Sequence, residues 1–285
     1  MQPTVVFQGA IEFADHFSPR PRLAHVLFDF DGTLSLLREG WPDVMVPMFA
    51  EMLPRRPGDT EDAVRRLMND DIMRLNGKQT IYQMMQFADR VRERGGQPHE
   101  PLWYKHEYLR RLNERIAGRM AALRDGAPPE RYLVHGARTI LELLQTRGVT
   151  LYLASGTDEV YVRQEAALLG IDRFFGRHIY GALDDYKQFS KKLVIERILA
   201  ENRVSGEGLL AFGDGYVEIE NTKEVGGLAV AVASDEANNG SGRIDPWKRQ
   251  RLLGVGADAV IPDYRDAAAL LLCLFGDSPV PVAKG

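Results

Sequence analysis

Apolar and polar positions along this chain fall into two textures. Residues 24–30 (AHVLFDF) make a short apolar run with the length and composition of a buried strand. From about residue 41 to 125 β-branched runs are scarce, and apolar positions recur at helical spacing. Leu109, Leu112, Ile116, Met120 and Leu123 lie three and four apart and predict an amphipathic helix. Thr80 is placed to cap another helix reaching about Arg94, where Gly95-Gly96 stops it. Gly126-Ala127-Pro128-Pro129 then closes the helical stretch.

Beyond it, short apolar segments alternate with helical ones. Strands are predicted at 149–154 (VTLYLA), 178–181, 208–212 (GLLAF), 228–233 (LAVAVA) and 259–261, with helices running to 169 and over 191–200. Short apolar strands separated by helices imply a parallel sheet covered on both faces. If the first strand joins the later ones in that sheet, the helical stretch is an insertion. The expected fold is therefore α/β, a core of residues 1–38 and 129–285 with an α-helical cap at 39–128. Ligands of open parallel sheets bind at the carboxyl ends of the strands.

Composition narrows the function classes. A length of 285 residues suits about two domains, and 45% hydrophobic with 27% charged residues argues against wholesale disorder. The 36 Lys and Arg against 40 Asp and Glu give a net charge of -4, which offers nucleic acid no support as the main partner. Cys273, the single cysteine, sits in an apolar run and reads as a core thiol; it cannot form an internal disulfide or a thiolate metal cage. No stretch approaches the roughly 18 apolar residues that span a bilayer. Residues 1–22 lack a basic segment followed by an apolar one. The expectation is a soluble cytoplasmic protein without a membrane partner.

The strand ends carry the chemistry. The first runs into Asp29-Phe30-Asp31-Gly32-Thr33. Residues two apart in an extended segment point to one side, so both carboxylates can face one site. They repel unless a cation stands between them, and hard oxygen ligands suit Mg²⁺. One can attack an electrophile while the other handles a proton. The plainer reading is an acidic turn, since Asp-Gly is a common turn pair.

The strand at 149–154 ends in Ser155-Gly156-Thr157. A hydroxyl and open N–H groups ahead of a helix make a phosphate cradle, although this motif taken alone favours simple capping by Thr157 before Asp158-Glu159. The strand at 208–212 ends in Gly213-Asp214-Gly215, with Glu218 one helical turn further on. Asp214 can complete a carboxylate set for Mg²⁺. A phosphoryl group held beside these acids also needs a cation. Of Lys187, Lys191 and Lys192, Lys191 is followed at helical spacing by Val194, Ile195, Ile198 and Leu199, which puts it on an inward face with Ser190 as its cap. An inward lysine is costly unless paired, so a negative site accounts for it.

The order Asp29-Phe30-Asp31-Gly32-Thr33, Ser155-Gly156, Lys191 and Gly213-Asp214-Gly215 with Glu218 resembles the four motifs of the haloacid dehalogenase (HAD) superfamily, over about residues 24–261. The resemblance implies a Rossmann-like core with the cap inserted after the first motif. Asp29 would be the nucleophile that forms an aspartyl-phosphate, and Asp31 the general acid/base. Ser155 and Gly156 would bind phosphate, and Lys191 (or Lys192) would pair with phosphate and Asp29. Asp214 would ligate Mg²⁺ with Asp29 and the backbone carbonyl of Asp31. The superfamily often has Asp where this chain has Glu218, so Glu218 or Glu220 would support the metal.

Dehalogenase-type members typically lack the second aspartate, because a carbon–halogen bond needs no proton at its leaving group. Asp31 supplies one. Phosphonatase-type members place a Schiff-base lysine in the cap, and Lys78 and Lys105 carry no sign of that role. The expected activity is hydrolysis of a small phosphorylated metabolite, such as a sugar phosphate. A phosphomutase and a non-catalytic binding scaffold are the alternatives. Cap arginines (Arg65, Arg66, Arg90, Arg92, Arg94, Arg110, Arg111) read as solvated helix faces, one or two of them available to a second anionic group.

Overall fold

In the computed structural model, which describes residues 6–277, eight strands form one sheet. They are β1 (Val6–Gln8), β2 (Ile11–Phe13), β3 (His25–Phe28), β4 (Thr150–Asp158), β5 (Ile179–Ala182), β6 (Leu209–Gly213), β7 (Leu228–Val232) and β8 (Ala259–Ile261), in the spatial order β1-β2-β8-β7-β6-β3-β4-β5. From β8 to β5 every pairing is parallel. The chain differs from expectation at one edge, where β1 and β2 form a hairpin that pairs antiparallel to β8.

The strand interiors show why their sequences are apolar throughout. Val26, Phe28, Leu153 and Phe212 pack in one core, while Leu27, Tyr152, Ala154 and Ala211 pack in another on the opposite face. A period of two with both faces buried leaves no polar position. Helices α5 (Ala137–Thr146) and α11 (Ala267–Phe275) pack together within the first core, and Cys273 is buried there. Val194, Ile195 and Ile198 of α8 (Lys191–Asn202) pack in the second.

Between β3 and β4 lie four helices: α1 (Pro42–Met52), α2 (Glu61–Arg74), α3 (Thr80–Glu93) and α4 (Pro101–Arg124). The stripe Leu109, Leu112, Ile116, Met120 and Leu123 of α4 is buried as its spacing predicts, and Phe49 stacks on Phe87 with ring centres 4.1 Å apart. Arg119 of α4 donates to the carbonyls of Leu36, Leu37 and Glu39, fastening the turns that lead into the insertion.

Two expected caps are corrected. Thr80 is the first residue of α3, not its cap; the cap position belongs to Gln79, whose side chain bonds elsewhere. Thr157 does not cap α6 (Glu159–Leu168), because β4 continues to Asp158 through an irregular register and the cap position falls on Asp158. Helix α9 is Tyr216–Glu224; α7 (Asp172–Phe175) and α10 (Pro246–Gly254) complete the chain's α-helices among the described residues. None of these helices is long and apolar enough to cross a membrane.

Candidate active site

Strand β3 lies between β4 and β6, with Phe28 in register with Leu153 on one side and Phe212 on the other. The next residue, Asp29, therefore emerges between the ends of both neighbours, and its N–H donates to the carbonyl of Phe212 at 2.9 Å. Parallel register alone thus brings together three segments that are far apart in sequence.

Asp29 is buried, and Lys191 Nζ lies 2.8 Å from its Oδ1 and 2.8 Å from Glu218 Oε2. Lys191 opens α8, where Ser190 Oγ accepts from Leu193 N at 3.1 Å and caps the helix. Lys192 instead points outward to Glu224. Glu218 is buried and its Oε1 accepts from Gly215 N at 2.8 Å, whereas Glu220 is exposed. A side chain at Gly213 would collide with the Glu218 carboxylate, which accounts for glycine at that strand end.

Asp214 N donates to Thr33 Oγ1 at 3.0 Å, and that hydroxyl stands 3.4 Å from Asp214 Oδ1. Gly32 has φ +73°, and a Cβ there would strike Asp214 Oδ2. Both the left-handed backbone and the close approach require glycine. Asp31 Oδ2 accepts from Thr157 Oγ1 at 2.8 Å and from Ser155 Oγ at 3.4 Å. Its Oδ1 is buried with no protein partner. The Arg38–Glu165 pair (Nη2–Oε1 2.6 Å) is buried nearby.

The electrostatics follow from burial. Asp31 is pushed up to about 6, chiefly by desolvation, with Arg38 opposing the shift. Asp29 is raised well above the usual carboxylate range by burial and by Glu218 and Asp214, against the pull of Lys191. Burial also raises Glu218. Burial alone would lower Lys191; its carboxylate neighbours Asp29 and Glu218 more than offset this and raise it. Oxygens of Asp29, Asp214 and Glu218 lie within 4.8 Å of one another. Buried, crowded and all-carboxylate, this donor set suits a hard divalent cation.

Asp29, Asp31 and Asp214 line a cavity of about 80 Å³, which Ser155, Gly156 and Lys191 also reach. The insertion covers it. A Cβ on Gly156 would come 2.7 Å from the Lys78 carbonyl, and one on Gly215 would come 2.8 Å from Gly77 Cα. Gln79 Nε2 donates to the carbonyls of Tyr186 (3.0 Å) and Phe189 (2.6 Å), tying the loop between α2 and α3 to the sheet side.

The arginines singled out in the insertion do not line the cavity. Arg90 pairs with Asp71, Arg94 with Asp59, and Arg110 and Arg111 with Glu107. The basic residue of the insertion at the cavity is Lys78. Lys105 is buried against Asp158 at 2.5 Å and is not among the cavity's lining residues.

Four site residues escaped the sequence reading. Thr33 and Thr157 had a signal, a hydroxyl two residues beyond Asp31 and Ser155. Glu236 and Lys248 had none, because they come from chain far downstream. Glu236 lines the cavity, and Lys248 stands behind it on Asp214 at 3.0 Å.

The family model described as haloacid dehalogenase-like hydrolase matches residues 23–226. No curated protein matches the chain. Several solved structures share its fold at low identity. A predicted phosphoglycolate phosphatase from Haemophilus somnus 129pt aligns with TM-score 0.58 and 16% identity over 88% of this chain and 98% of its own. A predicted phosphatase from Clostridium acetobutylicum gives 0.56 and 15% over 87% and 99%. A β-phosphoglucomutase from Clostridium difficile gives 0.58 and 11% over 90% and 98%.

Proposed function

The chain belongs to the haloacid dehalogenase-like hydrolases, and from that premise we propose that it is a Mg²⁺-dependent phosphatase acting on a small phosphorylated metabolite, such as a sugar phosphate, in the cytoplasm. In this reading residues 39–128 are the cap and the remainder is the catalytic core. The observation that carries it is the division of labour between Asp29 and Asp31. Asp29 is held by Lys191 with a carboxylate oxygen at the acid cluster, whereas Asp31 has one oxygen fastened by Thr157 and the other buried without a partner.

A carboxyl raised to about 6 carries a proton for part of the neutral range, and the orphaned Oδ1 is where a leaving oxygen would receive it. In the first step Asp29 attacks phosphorus and the ester oxygen departs with the proton of Asp31, leaving an aspartyl-phosphate. In the second step Asp31, now a carboxylate, takes a proton from the water that attacks that phosphorus, and Asp29 is freed. Lys191, the Ser155 hydroxyl and the Gly156 N–H would hold phosphoryl oxygens. Asp29, Asp214, Glu218 and the Asp31 carbonyl would hold Mg²⁺, which supplies charge neutralisation at the phosphoryl group. A carbon–halogen bond would leave Asp31 without a task.

The test is phosphate release from a panel of small phosphomonoesters, with and without Mg²⁺, against Asp29→Asn. Metal-dependent release that the substitution reduces by about 10⁴-fold or more supports the reading. Isomerisation of a sugar phosphate without phosphate release replaces it with a phosphomutase. Wild type indistinguishable from Asp29→Asn, together with no binding of a fluoride phosphate mimic, leaves a binding scaffold.

A further inference from the structure

Helix α10 carries three basic residues within four positions, Lys248, Arg249 and Arg251. Such a run usually marks a solvated face, yet each cation here is used inside the fold. Arg249 pairs with buried Glu12 of β2 (Nε–Oε2 2.6 Å). Arg251 donates to the carbonyls of Met73 and Arg74, at the C-terminal end of α2. Lys248 is buried, and its ammonium reaches Glu236 Oε1 at 2.6 Å, Asp214 Oδ2 at 3.0 Å and Ser234 Oγ at 3.1 Å.

An ammonium has three protons to donate, and three acceptors surround this one. The arrangement is specific to Asp214. Its Oδ2 faces Lys248, Oδ1 lies 3.4 Å from the Thr33 hydroxyl, and Asp214 is one of the three acids of the cluster. Glu236 shares the same ammonium, so without it the buried Asp214 and the half-buried Glu236 would face each other with no cation between them. Ser234 Oγ in turn donates to the carbonyl of Gly32 at 2.7 Å, so the group that holds Asp214 also braces the turn after Asp31.

We propose that Lys248 is a positioning residue for the metal site: it holds Asp214 by Oδ2, neutralises Glu236, and so presents the other Asp214 oxygen to the cation. This rests on the reading of Asp214 as a metal ligand. It is independent of which ester is hydrolysed. Partners that orient a metal ligand typically contribute about 10- to 100-fold to metal affinity.

The experiment is calorimetric titration of the full chain with Mg²⁺, no ester present, for wild type, Lys248→Met and the double variant Lys248→Met/Glu236→Gln. Lys248→Met is expected to bind Mg²⁺ at least about tenfold more weakly. The double variant removes the clash between Glu236 and Asp214 but not the lost hold on Asp214, so it is expected to recover only part of that loss, a partial recovery that a purely packing role would not produce. Unchanged affinity in Lys248→Met, or a double variant either fully restored or as weak as the single one, overturns the inference. If Lys248→Met does not fold, the double variant carries the test, and wild-type Mg²⁺ affinity in it overturns the inference as well. A wild type that binds no Mg²⁺ brings down the metal reading and this inference together. A wild type whose Mg²⁺ affinity depends on Lys248 yet which hydrolyses no ester brings down the phosphatase reading alone.

Discussion

The strand ends and the helical insertion bring different material to the same cavity. From the sheet come buried groups whose partners are fixed on several sides, such as Asp29 against Lys191 and Asp214 against Thr33 and Lys248. The insertion contributes a loop held by few bonds, chiefly those of Gln79, with Lys78 exposed at the rim. Buried charges are tolerable only when paired and oriented, which a rigid parallel sheet achieves. A loop that must admit and release a ligand is held more weakly. On the proposed function, the sheet would carry the chemistry and the insertion the selection.

The sharpest way to break that assignment is at Asp31. Asp31→Asn should lower kcat by about 10²–10⁴-fold with a smaller change in KM. The raised carboxyl is protonated below about 6 and ionised above it, so a rate limited by leaving-group protonation falls as pH rises through that value. The substitution should flatten this limb of the pH–rate profile. A limb that persists in Asp31→Asn assigns it to another group.

Next in size is Lys191→Met, which leaves Asp29 and Glu218 buried without their ammonium. A loss of about 3 kcal/mol in denaturant unfolding of the metal-free protein is expected. Lys192→Met, on the exposed side of the same turn, is the control and should change neither melting nor turnover. Equal effects of the two would dissolve the distinction between inward and outward lysines.

The smallest effect belongs to the insertion. Gln79→Ala removes two hydrogen bonds to the carbonyls of Tyr186 and Phe189. At about 1 kcal/mol each, KM should rise by up to about thirtyfold while kcat changes little. A fall in kcat as large as that of Asp31→Asn would mean that the insertion takes part in the chemistry.

Much of the fold is legible along the chain, for reasons visible in particular elements. Strands β3, β4, β6 and β7 are apolar on both faces because both are covered, and α4 shows its stripe because only one face is. The N-terminal hairpin is not legible, since three-residue edge strands carry too little pattern to separate from a loop. Local rules also misplace two threonines. Thr80 and Thr157 satisfy the composition of a helix cap, but a tertiary partner decides otherwise: Thr157 gives its proton to Asp31, and Gln79 takes the cap position ahead of Thr80.

At the site the boundary between the two kinds of information is equally physical. Asp29, Asp31, Lys191 and Asp214 each stand just past a strand or at a helix start, and Ser155 lies where the register of β4 becomes irregular; at each an unexpected polar residue is visible in the sequence by itself. That inward-facing Lys191 needs an anionic partner follows from its spacing alone. Which carboxylates it meets does not follow, because parallel register, and no local pattern, sets β3 between β4 and β6. Lys248 and Glu236 show the limit most clearly. Their partner Asp214 is distant in sequence, so only the packing of α10 against the sheet brings the ammonium to it.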